Sequence, residues 1–148
     1  MPSLSIQSPV GQLTIDESDG AIVAIRWSDV PSGNGSPLLA EASRQLAAYF
    51  AGQLNRFDLP LAPAGSPFEA RVWLAMQAIP YGETRCYRDL AQAVGSAPRA
   101  VGRACGRNPI PIVIPCHRVL AKGGMGGYSG EGGLATKQRL LALEGALG

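Results

Sequence analysis

The strongest constraint on the fold of this chain is a change in apolar spacing on either side of a proline-rich stretch, residues 57–67. Before it, residues 4–27 alternate apolar and polar side chains in short runs broken by turn-forming residues, which is typical of a meander of short strands. Residues 38–52, and much of the chain after the stretch, place apolar residues at helical spacing. We therefore interpret the proline-rich stretch as a linker that contains the domain boundary. We expect an α/β (α+β) protein with an N-terminal α/β lobe at residues 1–62 and a second domain at residues 63–148.

The size and composition of the chain indicate a globular protein with a core of its own. It has 148 residues, of which 46% are hydrophobic and 16% are charged, and this is too apolar for a disordered segment. No apolar run approaches the ~20 residues of a membrane helix, and the first residues show no secretory signal. The three cysteines have no paired spacing of the kind found in disulfide frameworks. We therefore expect a cytoplasmic protein that does not bind membranes.

The net charge of +2 hides an uneven distribution of charged residues. Residues 85–122 hold seven basic side chains and one acidic side chain, whereas residues 1–84 hold four basic and eight acidic ones. The basic block indicates either a surface that binds a polyanion such as nucleic acid or an ordinary solvated surface rich in arginine. Charge alone leaves both interpretations open.

The second domain begins with a helix and continues with a pair of shorter ones. Ser66 and Glu69 form the pattern of a capping box. Residues 87–95 and 98–107 predict two short helices separated by a few residues around a glycine, which is typical of a helix-turn-helix. A last amphipathic helix is expected over residues 133–145. The predicted buried stripe of the first helix consists of Phe68, Val72, Leu74, Ala75 and Ile79.

Cys116 stands directly before His117, the only histidine of the chain, in the apolar stretch "IPIVIPCHRVL". If this segment is extended, the two side chains point to opposite faces, so a direct hydrogen bond or a shared metal ion fits poorly. Three interpretations are open: a buried cysteine beside a solvated histidine, a metal site, and a nucleophilic thiolate. The metal site is the weakest, because Cys86, Cys105 and Cys116 show none of the usual close ligand spacings.

A nucleophilic thiol at neutral pH needs a base or a positive environment. His117 could take the proton of Cys116 through one bridging water, provided that a carboxylate on its other ring nitrogen held the tautomer. Glu144, near the end of the last helix, is the candidate carboxylate, and it could equally be an ordinary surface glutamate.

Arginines recur every four residues along the segment 98–107, so they share one side of the predicted helix. Small residues stand between the arginines and would let the helix backbone approach another surface closely, and the two glycines among them weaken the helix. The pattern fits a helix that enters a nucleic-acid groove, and it also fits a weak surface helix. The arginines are Arg99, Arg103 and Arg107, and the small residues are Ala100, Gly102, Ala104 and Gly106.

Three adjoining stretches of the second domain carry a resemblance to a known family. They are "IPYGETRCYRDLAQAVGSAPRAVGRACGR", "NPIPIVIPCHRVL" and "GGYSGEGGLATKQRLLALEG". Over roughly residues 66–146 the chain resembles the O6-alkylguanine-DNA alkyltransferase family, and the N-terminal stretches "SPVGQLTI" and "AAYFAGQLNRFDLPL" resemble its bacterial members more loosely. The resemblance implies a ribonuclease H-like N-terminal lobe and a helical C-terminal lobe with a winged helix-turn-helix.

The resemblance also implies a function in DNA repair. In this family an alkyl group on O6-alkylguanine, and on O4-alkylthymine, passes irreversibly to a protein cysteine after the nucleotide has been flipped out of the duplex. By this resemblance Cys116 is the acceptor and His117 takes the thiol proton through a water. Glu144 orients the histidine, and Asn108 braces the turn around the active site.

Further residues match the DNA-binding and base-binding positions of the family. Tyr87 matches a tyrosine that crowds the target phosphate and contacts the base, and Arg99 matches an arginine that fills the vacated space in the stack. Tyr128 and Ser129 match a loop that walls the base pocket and donates to the O6 atom. The remaining DNA-binding positions are Ala100, Gly102 and Arg103.

The implied partner is double-stranded DNA with alkylated bases, bound through the minor groove without a cofactor or a metal ion. We expect a monomer, and cooperative binding of several copies to DNA is left open. Cys86 stands at a helix start where serine is usual, Cys105 lies on the DNA-reading helix, and the loop after Tyr128 is longer than the shortest family versions. The alternatives are a winged-helix regulator and a non-catalytic alkyltransferase-like lesion sensor, in which the cysteine would be replaced.

Overall fold

The chain folds into two compact units, residues 1–64 and residues 65–148. We describe them from a computed structural model for the following ranges: 2–28, 35–121, 124–128, 130 and 132–146. Each unit contains its own buried apolar residues.

The first unit is an antiparallel meander of strands followed by a helix. Its elements are β1 (Ser3–Ser8), β2 (Gly11–Ser18), β3 (Ala21–Trp27) and α1 (Pro37–Phe50), with the strands paired in the order β1-β2-β3. Strands β2 and β3 bury apolar side chains, and α1 adds one apolar stripe to the same core. Its largest buried side chains are Leu13, Ile15, Ile22, Leu39, Leu46 and Tyr49. The predicted meander and helix are confirmed.

The proline-rich stretch is not a linker along its whole length. The backbone N–H of Ile22 donates to the carbonyl of Pro60 at 2.8 Å, and the N–H of Ala62 donates to the carbonyl of Ile22 at 2.9 Å. These bonds add residues 60–62 to the edge of β3 as a short parallel pairing centred on Leu61. Proline is tolerated there because an edge position needs no N–H from it.

The second unit carries the predicted helix-turn-helix. Its elements are α2 (Pro67–Gln77), β4 (Arg85–Cys86), α3 (Tyr87–Val94), α4 (Pro98–Gly106), a 3₁₀ helix (Cys116–Arg118), β5 (Val119–Leu120) and α5 (Leu134–Leu143). Helices α3 and α4 are the two short helices, and α3 ends at Gly95, whose φ of 71° lies in the left-handed region that glycine adopts readily. Strands β4 and β5 pair in parallel, which brings the segment after the 3₁₀ helix beside the start of α3.

The capping box at the start of α2 is confirmed, but one residue of its predicted buried stripe is wrong. The N–H of Glu69 donates to Ser66 Oγ at 3.1 Å, and the N–H of Ser66 donates to Glu69 Oε1 at 2.8 Å. Leu74, predicted to be buried, is 67% exposed, because the buried side of α2 runs through Val72, Trp73 and Met76. A residue two positions away from Val72 and Met76 faces the opposite side of a helix with 3.6 residues per turn.

Candidate active site

The segment before Cys116 is not extended, contrary to the assumption made from its apolar sequence. The N–H of Val113 donates to the carbonyl of Pro111 at 2.9 Å, which closes a γ-turn around Ile112 with a φ of 75°. The N–H of Cys116 donates to the carbonyl of Ile114 at 2.8 Å, which closes an inverse γ-turn around the next proline. A positive φ at a buried β-branched residue is strained, so the surrounding contacts must hold this turn in place.

Asn108 supplies contacts that hold the turn. Its Nδ2 donates to the carbonyl of Ile114 at 2.8 Å, and its Oδ1 accepts from the N–H of Ile110 at 2.9 Å. The same side chain acts to lower the pKa of the Cys116 thiol. One amide therefore fixes both ends of the strained turn that leads to the thiol.

Cys116 and His117 begin a 3₁₀ helix, in which neighbouring side chains are about 120° apart because the helix has three residues per turn. The two side chains therefore still diverge, although the reason is helical geometry and not an extended chain. Cys116 is only 7% exposed. Burial raises the pKa of its thiol, while the hydrogen bond from Asn108 and the charge of Lys137 act in the opposite direction. In the unliganded protein the sulfur is accordingly a protonated thiol.

His117 is fully buried, and its two ring nitrogens have different surroundings. Its Nε2 lies 2.7 Å from Glu144 Oε2, so Nε2 carries the proton that the carboxylate accepts. Its Nδ1 is buried and has no hydrogen-bond partner within the described part of the chain. Burial lowers the pKa of His117, and this outweighs the opposite effect of Glu144, because Arg118 already neutralises that carboxylate. The ring is therefore a neutral imidazole whose Nδ1 lone pair is available to accept a proton.

Arg118 completes a buried triad, which we define as His117, Arg118 and Glu144. Its Nε and Nη2 donate to the two carboxylate oxygens of Glu144 at 2.8 and 3.0 Å, and its Nη1 donates to the carbonyl of Ile79 at 2.7 Å. A buried carboxylate that accepts from a planar guanidinium fork cannot rotate freely, so the histidine that it contacts is also held in one orientation.

Lys137 is a second cation in this region. Its ammonium group is buried and contacts the loop at residues 124–128. Its Nζ donates to the carbonyls of Val119, Met125 and Gly127 at 2.6, 2.5 and 3.1 Å. An ammonium group has three donors, and all three are used here. Burial lowers the pKa of Lys137, and the nearby thiols Cys116 and Cys105 act in the opposite direction. The lysine thus ties the loop to β5 and places positive charge near the Cys116 sulfur.

A cavity of about 280 Å³ opens above Cys116. Its volume is near the lower end of the roughly 300–1,000 Å³ found for small-molecule sites, which suits one small planar group. Its lining residues are Tyr87, Gly102, Cys105, Gly106, Cys116, Gly127 and Tyr128. Burial raises the pKa of both tyrosines, so each hydroxyl keeps its proton and can donate a hydrogen bond.

The two sides of α4 have different surroundings. Gly102 and Gly106 line the cavity, whereas Arg103 and Arg107 line a separate groove of about 350 Å³ that also contains residues of the α2 start. Ala104 was expected on the surface that approaches a partner, and this is wrong: it is buried, and its carbonyl accepts from the Trp73 indole N–H at 2.8 Å.

Two absences hold for the described ranges. They contain no cluster of three or more His, Cys, Asp or Glu side chains that could hold a metal ion. No helix within them is long and apolar enough to span a membrane.

Two family models together match most of the chain. The one described as "6-O-methylguanine DNA methyltransferase, DNA binding domain" matches residues 67–146, and the one described as "6-O-methylguanine DNA methyltransferase, ribonuclease-like domain" matches residues 4–63. The chain belongs to the 6-O-methylguanine DNA methyltransferase family. The resemblance drawn from the sequence is thereby confirmed.

Individual relatives of the family align with nearly the whole chain. The methylated-DNA–protein-cysteine methyltransferase of Mycolicibacterium paratuberculosis is 49% identical, over 95% of this chain and 90% of that protein. The constitutive enzyme of that name from Bacillus subtilis is 44% identical, over 84% of each chain. The crystal structure of Mycobacterium tuberculosis OGT in complex with DNA has a TM-score of 0.88 and 42% identity, over 99% of this chain and 94% of that one. The mixed α/β fold expected from the sequence is confirmed by this likeness.

Most of the site residues predicted from the sequence lie in the second unit, either around Cys116 and the cavity or on α4. The chemical candidates Cys116, His117, Glu144 and Asn108 are joined by the contacts above, and the two tyrosines line the cavity. The candidate DNA-binding residues on α4 are the exposed Arg99 and Arg103 and the half-buried Ala100 and Gly102. Ser129 lies outside the described residues.

Sequence reasoning missed Arg118 and Lys137, and a sequence signal exists for Lys137. Lys137 stands three and four residues before the buried Leu140 and Leu141, so helical spacing places it on the buried side of α5. Arg118 has no such spacing, and its burial is visible only in the structure. A charged residue at a position that the pattern buries indicates a specific partner.

Proposed function

We propose that this chain is a DNA repair protein that removes an alkyl group from O6-alkylguanine, and from O4-alkylthymine, by transferring it to Cys116. The observation that carries this proposal is the arrangement at His117. Its Nε2 is fixed on Glu144, while its buried Nδ1 has no partner among the described residues. Such a base, beside a thiol that lines a cavity of the size of one small ring system, suits proton removal from a nucleophile.

The reaction that these groups support is a single displacement. The proton of Cys116 passes through a water to His117 Nδ1, and the resulting imidazolium is stabilised by Glu144. The sulfur then forms a bond to the alkyl carbon as the bond from that carbon to O6 breaks, and the electron pair goes to the departing base. The repaired base stays in the DNA and becomes neutral after it takes up one proton. The candidate hydrogen-bond donors to this base are the Tyr87 and Tyr128 hydroxyls and Ser129.

The transfer is irreversible because the product is a thioether. An S-alkyl bond has a poor leaving group, and the two other cysteines have no chemistry that would remove the alkyl group. Each molecule therefore repairs one lesion. We include Asn108 as the residue that holds the nucleophile in position, on the basis of its bonds to both ends of the strained turn.

DNA recognition is assigned to α4 and its neighbours. We propose that α4 enters the minor groove, where Gly102 and Ala100 allow close approach and Arg103 contacts a phosphate. A Cβ added at Gly102 would meet no described atom within 4 Å, so internal packing does not require glycine there. Arg99, exposed in the first turn of α4, fills the space left by the flipped nucleotide, and Tyr87 crowds the target phosphate and faces the base.

The wider setting follows from this chemistry. We propose that residues 63–148 form the DNA-binding and catalytic domain, with residues 1–62 as the N-terminal lobe, and that a monomer acts without a cofactor in the cytoplasm. A thiol that is used once must stay reduced until it meets a lesion, which suits a reducing compartment. Cooperative binding along DNA is a further question for the same protein.

The test is intact-protein mass spectrometry after incubation with a duplex that contains O6-methylguanine. We expect one added methyl group per protein molecule, located on Cys116, and product that stops at one equivalent. Cys116→Ala should take up no methyl group, while the matched variant Cys86→Ala should take up one. Demethylated DNA in clear excess over the protein, with Cys116 unmodified, would refute the proposal.

A further inference from the structure

Cys105 is a second thiol in the wall of the cavity, and the transfer reaction gives it no role. It lies on α4 and is 6% exposed, and its Sγ donates to the sulfur of Met76 at 3.4 Å. Cys116 lies in the wall of the same cavity, at the start of the 3₁₀ helix. Both thiols are free in this structure.

The two cysteines share neighbouring residues and affect each other electrostatically. The backbone N–H of Asn108 donates to the carbonyl of Cys105 at 3.3 Å, and the side chain of the same asparagine acts to lower the pKa of the Cys116 thiol. The phenol of Tyr87 lies within electrostatic reach of both sulfurs. Both cysteines line the same cavity, and a bond between them requires the Cys105 sulfur to turn away from Met76 and toward Cys116.

We propose that Cys105 and Cys116 form a reversible intramolecular disulfide when a hydroperoxide oxidises the site. His117 takes the proton of Cys116 through a water, and the Cys116 sulfur attacks a peroxide oxygen. The O–O bond breaks, Cys116 becomes a sulfenic acid, and the departing hydroxide takes up that proton and leaves as water. The sulfur of Cys105 then attacks the Cys116 sulfur, an S–S bond forms, and the S–OH bond breaks. The Cys105 proton joins the departing hydroxide to make water. In sum, two thiols and one hydrogen peroxide give one disulfide and two waters.

The consequence is protection of a residue that can be used only once. A sulfenic acid with no thiol partner is oxidised further to sulfinic and sulfonic acids, which small thiols do not reduce, whereas a disulfide is returned to two thiols by thiol exchange. This physiological meaning rests on the proposed function of Cys116. The formation of the disulfide is a separate chemical claim that is tested without any alkyl transfer.

The sequence allows a direct test by peptide mapping. Trypsin cuts after Arg103, Arg107 and Arg118, so Cys105 falls on the peptide 104–107 and Cys116 on the peptide 108–118. The reduced full-length protein is treated with hydrogen peroxide, remaining thiols are blocked in acid, and the digest is analysed without reductant. We expect the two peptides to be cross-linked, and we expect dithiothreitol to restore both thiols.

Two variants sharpen the result. Cys86→Ala removes a half-buried cysteine that does not line the cavity, and it should give the same cross-link as the unaltered protein. After peroxide treatment, Cys105→Ala should give sulfinic or sulfonic acid on the 108–118 peptide. Dithiothreitol should then fail to return its methyl uptake to the level of the same variant before oxidation. A cross-link that joins Cys116 to Cys86, or over-oxidised Cys116 in the unaltered protein with no cross-link, overturns the proposal. A cross-link in a protein that never accepts a methyl group refutes the proposed function and leaves the disulfide standing.

Discussion

The buried triad and the outer side of α4 use the same kinds of charged side chain in opposite ways. In the triad, Arg118 and Glu144 are joined at 2.8 Å, and the Glu144 side chain is fully buried. On α4, Arg107 lies 3.5 Å from Glu69, and the arginine side chain is 74% exposed. Exposed pairs of this kind contribute little to stability because water and salt screen them.

The difference separates chemistry from recognition. A buried charge must be matched by a partner of fixed geometry, and that requirement positions the His117 ring. An exposed arginine in a pair that water and salt screen keeps its charge available to an external polyanion. If the comparison is right, changes in the two regions should affect different measurements.

The largest effect is expected at the nucleophile. Cys116→Ala should abolish methyl transfer, because the proposed reaction has no other acceptor, while the affinity for duplex DNA should stay within a few-fold. Binding is assigned to exposed residues of α4 and not to the thiol. The checks are methyl uptake by mass spectrometry and DNA binding by fluorescence anisotropy at fixed salt concentration.

Cys86→Ala is the matched control and should keep both properties. A folded Cys116→Ala protein that no longer binds DNA would break the separation between the two regions.

The second effect concerns the charge balance of the triad. Glu144→Gln leaves the Arg118 guanidinium buried without its counter-charge, so the free energy of unfolding should fall by roughly 3–5 kcal/mol. Denaturant unfolding followed by circular dichroism measures this. Glu69→Gln weakens a pair whose arginine is exposed to solvent, and it should lower the stability far less. Equal losses for the two variants would show that burial of the arginine does not distinguish the two ion pairs.

The third effect belongs to Arg99. If this arginine fills the space of the flipped nucleotide, Arg99→Ala should slow transfer from duplex DNA by about ten- to a hundred-fold, because extrusion costs a few kcal/mol. Transfer from free O6-methylguanine should be unchanged, since no base has to leave a stack. The ratio of the two single-turnover rate constants is the measurement. An equal decrease of the rate constant on both substrates would show that Arg99 does not fill the space left by the flipped nucleotide.

The order and type of the main elements could be predicted from the sequence, because alternation, helical spacing and capping are local signals. The helix-turn-helix and the Ser66 capping box are examples. The turn before Cys116 could not be predicted in this way. Its positive φ at Ile112 is imposed by Asn108 and by packing, and a run of apolar residues is equally compatible with an extended segment.

The site was predictable where the family signature names a residue, and it was missed where burial decides the role. Cys116, His117 and Glu144 were candidates from the sequence, the resemblance gave each a role, and the structure brings the latter two together. Arg118 is an ordinary basic residue in a linear reading, and the spacing of Lys137 indicates burial without naming a partner. Their importance comes from carbonyl and carboxylate partners that are distant in sequence and meet only in the folded unit.

The pH dependence of stability tests the neutral state of His117. Its pKa in the folded protein is lowered from 6.5, mainly by burial, so below pH 6.5 the unfolded chain takes up a proton that the folded protein excludes. Stability is therefore fully present above pH 6.5 and should fall as the pH decreases, with a slope approaching about 1.4 kcal/mol per pH unit. The chain has one histidine, so a transition that begins near this pH is assigned to it. Stability that rises on acidification through this range would mean a charged imidazole in the triad.

The smallest effect is expected from a single phosphate contact on the outer side of α4. Arg103→Ala should weaken binding to duplex DNA a few-fold, equally for alkylated and unmodified DNA, because a phosphate contact carries no information about the base. The slope of log affinity against log salt should become shallower by about 0.9, as expected when one fewer counterion is released. Arg139→Ala, an exposed arginine on α5, is the matched control and should leave the slope unchanged. The same slope in both variants and the unaltered protein would place Arg103 away from the DNA, and recognition would then have to be assigned to another basic surface of the second unit.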